Sequence, residues 1–121
     1  MTPFHAAVWI DHQNAKVFHV DEKSFDEALI HAPNTHVHHD PAAVERFYHE
    51  VAKALSSAAE ILVVGPGSAK LALIKHIQKH HHDLNDKIIG VETVDHPTDK
   101  QLVGFIKKYF HEEDRMRGLV P

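Results

Sequence analysis

The pattern of apolar positions along the chain predicts strands at the start, followed by alternating helices and strands. In AAVWIDHQNAKVFHV, residues 6–20, two apolar segments flank the polar residues DHQN, which are typical of a turn. This stretch therefore predicts an antiparallel hairpin, and residues 27–32 predict a third strand. ILVV, residues 61–64, is β-branched and unalternated, as in a strand covered on both faces, and KIIGVETV, residues 87–94, predicts another buried strand.

Three further segments place apolar residues at helical spacing. The first begins at Asp40 and Pro41, a capping side chain followed by a proline at a position where no hydrogen bond is lost. The second follows Gly-Pro-Gly, residues 65–67, and the third begins near Thr98, which forms a capping-box pattern with Gln101. The residues predicted to face the core are Phe47, Val51, Leu55, Ile74, Ile77, Leu102, Phe105, Ile106 and Tyr109.

This order of elements predicts one α/β domain. A hairpin followed by alternating helices and strands indicates a mixed sheet, opened by the antiparallel hairpin, with helices on both faces, as in ribonuclease H-like folds. The strand at residues 61–64 is expected inside the sheet, with other strands on both sides. The domain is predicted to span residues 1–111, and the C-terminal tail, residues 112–121, has no apolar period and is expected to fray.

Composition narrows the functional classes. The 121 residues include no cysteine, which excludes disulfides, thiol chemistry and cysteine-based zinc sites. No apolar segment has the length of a membrane span and no signal peptide is apparent, so a cytoplasmic protein without a membrane partner is expected. The net charge of -4 argues against a domain that grips nucleic acid with its whole surface, so any RNA contact requires a local patch.

A candidate anion or RNA site lies where the strand at residues 61–64 leads into a helix. Backbone N–H groups at a helix N-terminus favour an anion, and Gly65, Gly67 and Ser68 occupy this turn. Three lysines follow on the helix, and the motif matches neither a P-loop nor a dinucleotide-binding fingerprint. The alternative is that the glycines only allow a tight turn. The lysines of the candidate site are Lys70, Lys75 and Lys79.

The 14 histidines suggest two candidate metal sites. His36, His38 and His39 lie in a polar, histidine-rich segment, and such segments are a recognised indication of metal binding. His76 and His80 are four positions apart on the predicted middle helix, where both side chains share one face, and this pair is expected to be exposed. The alternative for both is an ordinary polar surface, so no cofactor is expected beyond adventitious zinc or nickel.

Carboxylates offer a further enzymatic hypothesis. Asp11 closes the first strand and Asp95 follows the last strand, as in a sheet that carries a two-metal nuclease site. The central strand ends in Gly65 and Pro66, so it supplies no third acid. The alternative is that Asp11 is a turn residue and that Asp95 is a loop residue or a cap ahead of Pro97.

The motifs in the second half of the chain carry a resemblance to a known family. ILVVGPGSAKLALIKHI, residues 61–77, resembles the middle domain of archaeal and eukaryotic class I peptide-chain release factors and of Pelota, the ribosome-rescue factor. ERFYHEVAKAL, residues 45–55, resembles the preceding helix of that domain, and residues 8–20 look like its opening hairpin. Residues 88–110 are similar to bacterial single-domain translational machinery proteins, most specifically through VETVDHPTD together with the upstream GPGSAK.

The chain departs from release factors at their catalytic loop. In those factors a Gly-Gly-Gln loop precedes the long helix, whereas this chain has HAPNTHVHHD at residues 31–40 and no Gly-Gly-Gln. The resemblance therefore implies a noncatalytic, translation-associated binding module that contacts the ribosome or RNA through a local patch. The alternative is a metal-dependent hydrolase or nuclease centred on the histidine-rich loop. The sequence leaves open whether the chain forms a homo-oligomer.

Two properties of binding follow from this hypothesis. Binding should weaken with added salt, because the candidate contacts are lysines to phosphate. It should strengthen as the pH falls toward 6, if exposed histidines such as His76 and His80 gain positive charge.

Overall fold

Five strands form one mixed sheet, which confirms the predicted architecture. The computed structural model describes residues 5–20, 25–31 and 41–116. Within them the strands are β1 (His5–Ile10), β2 (Asn14–Val20), β3 (Phe25–His31), β4 (Glu60–Gly65) and β5 (Ile88–Thr93). Their order is β3-β2-β1-β4-β5, with β2 antiparallel to β1 and β3, and with β4 parallel to β1 and β5. β4 therefore lies inside the sheet, as its unalternated sequence predicts.

Helices cover both faces of the sheet and create two apolar cores. The helices are α1 (Pro41–Leu55), α2 (Ala69–His80), α3 (His82–Asn85) and α4 (Asp99–Met116). On one face, residues of α1, α2 and α3 pack against alternate residues of β1 and β4, including Val8 and Val63. On the other face, α4 packs against the remaining residues of those strands, including Trp9 and Val64. Because β1 and β4 have an apolar layer on each side, neither strand alternates in sequence.

A capping box marks the start of α4, and the helix extends beyond the predicted end of the domain. At its start, the Gln101 N–H donates to Thr98 Oγ1 at 3.1 Å and the Thr98 N–H donates to Gln101 Oε1 at 3.0 Å, which confirms the capping box. The helix then continues through Met116. Residues 112–116 are therefore helical, and the expectation that the chain frays directly after residue 111 is wrong for these residues. Asp40, the predicted cap of α1, lies outside the described residues.

The observed face of α4 that packs on the sheet differs from the prediction at one residue. Leu102, Ile106 and Phe110 are buried, with exposures of 1%, 0% and 3%, and they follow one another at intervals of one helical turn. Phe105 is 38% exposed, since it lies at the edge of this stripe, beside Tyr109, which is half-buried. The prediction that Phe105 faces the core is therefore wrong.

The position of β5 corrects a second prediction. Among the described residues β5 pairs with β4 only, so it is an edge strand, and its residues 91–93 are exposed. The prediction of a second fully buried strand at residues 87–94 is therefore wrong, although Ile88 and Ile89 still pack against the two cores. No helix among the described residues has both the length and the apolar content that a bilayer crossing requires.

Candidate functional site

The Gly-Pro-Gly turn is explained first by packing. A Cβ atom at Gly65 would lie 2.2 Å from the carbonyl oxygen of Ile10, so the backbones of β1 and β4 approach too closely for any side chain there. A Cβ atom at Gly67 would meet nothing within 4 Å. This contrast favours the interpretation in which Gly65 serves the strand-to-helix architecture, whereas Gly67 is exposed and open to solvent.

The start of α2 does not present Lys70 to a ligand. The Lys70 side chain is only 7% exposed, and its Nζ donates to the carbonyl oxygen of Gly67 at 2.7 Å. Ser68, at the N-cap, is exposed, and its Oγ lies 3.3 Å from Nε2 of His12. Lys70 is therefore a poor candidate for a surface contact, and its contact with phosphate stays a prediction.

Lys75 and Lys79 remain available on α2. Both side chains are exposed and lie one helical turn apart, so they form a basic pair on one stripe of the helix. None of the ion pairs found within the described part of the chain involves either ammonium group. Together with the exposed Gly67 and Ser68, this lysine pair is a part of the predicted anion site that the fold leaves open to a partner.

The two aspartates of the nuclease hypothesis lie near one another but do not form a metal site. Asp11 Oδ1 accepts hydrogen bonds from the backbone N–H groups of Gln13 and Asn14, at 2.8 and 2.7 Å, as a turn residue does. His96 lies between the carboxylates, with Nε2 3.7 Å from Asp11 Oδ2 and Nδ1 2.9 Å from Asp95 Oδ1. Within the described residues neither aspartate belongs to a group of three metal ligands. This arrangement orients an exposed imidazole and gives no support to two-metal catalysis.

A cluster of titratable side chains lies between α1 and the end of α2. It consists of Glu45, His49, His76, His80 and His81, which we call the histidine cluster. The structure thus brings together the predicted pair His76 and His80, and it adds three residues that sequence analysis did not identify. The missed signal was the spacing of Glu45 and His49, which are also four positions apart on a helix.

Burial of His76 corrects the predicted exposure of the pair. His76 is 7% exposed and lies under α1, with its ring centroid 5.9 Å from that of Tyr48, whereas the side chain of His80 is 44% exposed. The prediction that both histidines are exposed is therefore wrong for His76, because α1 packs over this part of α2. The other predicted metal ligands, His36, His38 and His39, lie outside the described residues.

The environment of the cluster disfavours the charged form of two imidazoles. Burial lowers the pKa of His76, and this effect outweighs the opposing charge of Glu45. Burial and the neighbouring His49 and His80 lower the pKa of His81. His76 therefore gains charge at a lower pH than an ordinary histidine, so of the predicted pair it is the weaker source of positive charge as the pH falls.

The lowered pKa of His76 predicts a stability that falls as the pH falls. Between its lowered folded-state pKa and the ordinary value of about 6.5, the unfolded chain binds more protons than the folded chain. The stability that neutral His76 contributes is fully present above about pH 6.5. The free energy of unfolding should therefore decrease as the pH drops below that value. Urea denaturation midpoints at about pH 7.5 and about pH 5.5, with a chelator present, measure this difference.

The control compares two histidines of the same region. In His76→Gln the difference between the two midpoints should shrink, whereas in His82→Gln, which alters an exposed histidine, it should match the wild-type difference. An unchanged pH dependence in His76→Gln would contradict the assignment.

The fold is similar to that of domains in known translation factors. No protein-family model and no curated protein matches the sequence. Among solved structures, Archaeoglobus fulgidus Pelota matches with a TM-score of 0.66 and 17% identity over 89% of this chain and 32% of its own. Thermoplasma acidophilum Pelota matches with a TM-score of 0.67 and 17% identity over 87% of this chain and 32% of its own. An archaeal translation termination factor, aRF1, matches with a TM-score of 0.60 and 11% identity over 79% of this chain and 31% of its own.

These matches confirm the resemblance in fold to Pelota and release-factor domains. The chain spans about a third of the length of the Pelota structures it matches. At identities of this size the likeness establishes the fold, and function has to be argued from the residues of this chain.

Proposed function

We propose that this chain is a noncatalytic, translation-associated binding module that contacts the ribosome or RNA through a local basic patch. The observation that carries the proposal is the similarity of its fold to Pelota and to an archaeal termination factor over most of its length. The chain has no Gly-Gly-Gln sequence, so the proposal assigns it binding without peptide release.

The exposed lysine pair supplies the contact. Lys75 and Lys79 project from one stripe of α2 into solvent, and two ammonium groups at this spacing suit adjacent phosphates of a nucleic-acid backbone. The net charge of -4 confines such a contact to a local patch, because the average surface repels a polyanion. Contacts to phosphate carry little sequence information, so binding should depend on charge and shape.

Co-sedimentation with purified ribosomes tests the lysine pair. We expect Lys75→Gln/Lys79→Gln to weaken binding about tenfold at low salt and to reduce the slope of log affinity against log salt by about 2, one unit for each lost phosphate contact. The matched control is Lys100→Gln/Lys108→Gln, which removes the same charge from exposed positions of α4, on the opposite face of the sheet. This control should bind within about twofold of wild type.

Two outcomes would contradict the proposal. Equal loss in both double variants would mean that binding reflects overall charge and has no specific site on α2. Absence of co-sedimentation at low salt would contradict the proposal that this chain binds the ribosome.

A peptidyl-tRNA hydrolysis assay tests the noncatalytic part. Incubation of this chain alone with ribosomes that carry peptidyl-tRNA should release no peptide above background, because the loop that positions water in release factors has no counterpart in the sequence. Turnover that disappears in His38→Ala or His39→Ala would support the alternative hydrolase at the histidine-rich loop.

A further inference from the structure

The histidine cluster is built from matching pairs on two packed helices. Glu45 and His49 are four positions apart on α1, and His76 and His80 are four positions apart on α2. Residues at this spacing share one helix face, so each helix offers two ligand atoms toward the other. His81 follows directly after α2 and completes the cluster.

His76 lies at the centre of the cluster with unsatisfied polar atoms. It is 7% exposed, and neither of its ring nitrogens has a hydrogen-bond partner among the described residues. Its Nδ1 lies 3.1 Å from Oε2 of Glu45, a close contact without hydrogen-bond geometry. Burial of imidazole nitrogens that lack well-formed hydrogen bonds is costly, because they lose the water that they would bind in the unfolded chain. A ligand that accepts a nitrogen lone pair would satisfy one of the two nitrogens and so remove part of this cost.

The spacing of the ligand atoms fits one metal ion. Four ligands placed about 2.0–2.1 Å from a zinc ion in tetrahedral geometry lie about 3.4 Å from one another. Nδ1 of His76 and Nε2 of His80 lie 3.1 and 3.4 Å from the same oxygen of Glu45. All three ligand atoms lie within 4.8 Å of one another, so small side-chain rotations suffice to surround an ion.

A second group, His49, His76 and His81, meets the same distance limit, but it is the weaker candidate. Nδ1 of His49 lies 3.3 Å from Nε2 of His81, so one nitrogen of each ring already has a hydrogen-bond partner. This group also lacks a carboxylate, which would offset part of the charge of a divalent cation. The group with Glu45 combines two imidazoles and one carboxylate, a ligand set that is typical of zinc.

We propose that Glu45, His76 and His80 bind one divalent transition-metal ion of the zinc class, which joins α1 to α2. His76 is buried beside the other two ligand atoms, and a neutral imidazole donates a lone pair to a metal. The ion stabilises the packing of the two helices, because the ligands come together only in the folded chain. The site is independent of the proposed function, since the lysine pair takes no part in it.

Zinc binding is best measured in a background without the histidine-rich loop. The parent protein is His36→Ala/His38→Ala/His39→Ala, because these histidines could bind metal by themselves. After treatment with a chelator and its removal, isothermal titration with zinc chloride at about pH 7.5 should give one ion per chain. Zinc should also raise the thermal midpoint of the parent by about 10 °C when free zinc exceeds the dissociation constant about a hundredfold.

Substitutions of two exposed ligands test the proposed ligand set without creating a cavity in the core. Glu45→Gln and His80→Ala change side chains that are 56% and 44% exposed, so both variants should fold. Each should weaken zinc binding at least about tenfold and remove most of the thermal shift, because one ligand is lost. The matched control, His82→Ala, removes an exposed neighbouring histidine outside the cluster and should bind zinc within about twofold of the parent.

The ligand set is overturned if His49→Ala and His81→Ala abolish binding while Glu45→Gln and His80→Ala retain it. The site itself is overturned if the parent binds no zinc, or if it binds zinc without any rise in the thermal midpoint.

Discussion

Phe110→Ala is expected to lower the free energy of unfolding by about 3–5 kcal/mol, whereas Phe105→Ala should lower it by about 1 kcal/mol or less. Both are the same substitution on the same helix, α4. Phe110 is 3% exposed within the core beneath α4, and its ring stacks on His5 with centroids 4.4 Å apart. Phe105 is 38% exposed, so the loss of its ring leaves a surface hollow that water fills.

Urea denaturation of the two variants measures this difference. A loss of about 3–5 kcal/mol is a large part of the total stability of a domain of this size, so Phe110→Ala should shift the midpoint strongly. Similar midpoints for the two variants, or a larger loss for Phe105→Ala, would show that a different face of α4 meets the sheet.

Gly65→Ala is expected to destabilise the fold by about 3 kcal/mol, the upper part of the usual cost of overpacking. The added Cβ atom would lie 2.2 Å from the carbonyl oxygen of Ile10, which belongs to the backbone of the neighbouring strand. A backbone oxygen cannot rotate away as a side chain can, so β1 and β4 would have to separate. These two strands carry residues of both cores, and their separation loosens packing on both faces.

Gly67→Ala is the matched control for this prediction. It adds the same methyl group two positions along the same turn, where nothing lies within 4 Å, so its cost should stay below about 0.5 kcal/mol. Thermal or urea denaturation of both variants provides the comparison. Equal stability of the two variants would mean that the close approach at Gly65 does not constrain the sheet.

The Gly65 result also bears on the interpretation of the Gly-Pro-Gly motif. A glycine that packing requires does not need a ligand to explain its presence. The motif therefore supports the resemblance in fold, while the lysine pair and the histidine cluster, on α1 and α2, carry the functional proposals. The ribosome-binding test and the zinc test use separate residues, so the failure of one leaves the other intact.

Several features of the fold could be predicted because they depend on local sequence. The hairpin, the interior position of β4 and the capping box of α4 each follow from the order of a few neighbouring residues. An unalternated apolar strand requires cover on both faces, and Thr98 with Gln101 satisfies the free N–H groups at a helix start. The spacing of His76 and His80 likewise placed two histidines on one face of α2.

Other features depend on how distant segments meet. Apolar residues on α4 cover a wide arc, and only the position of the helix on the sheet selects Leu102, Ile106 and Phe110 over Phe105. β5 is an edge strand because no further strand pairs beyond it among the described residues, a property of sheet order that its own sequence does not contain. The ammonium group of Lys70 donates to the carbonyl oxygen of Gly67, because the shape of the turn places this oxygen within reach.

The sequence by itself determined the kinds of elements, their order, the mixed sheet with two covered faces and the absence of cysteine chemistry. The elements follow from the periodicity of apolar residues, which is a property of short segments, and the absence of cysteine chemistry follows from composition. The tertiary structure decided which residues share a site. Glu45 and His76 are 31 positions apart in sequence, yet Oε2 of Glu45 lies 3.1 Å from Nδ1 of His76, because α1 packs on α2. The spacing of residues within each helix shows which side chains share a face, but it does not show which faces of the two helices meet.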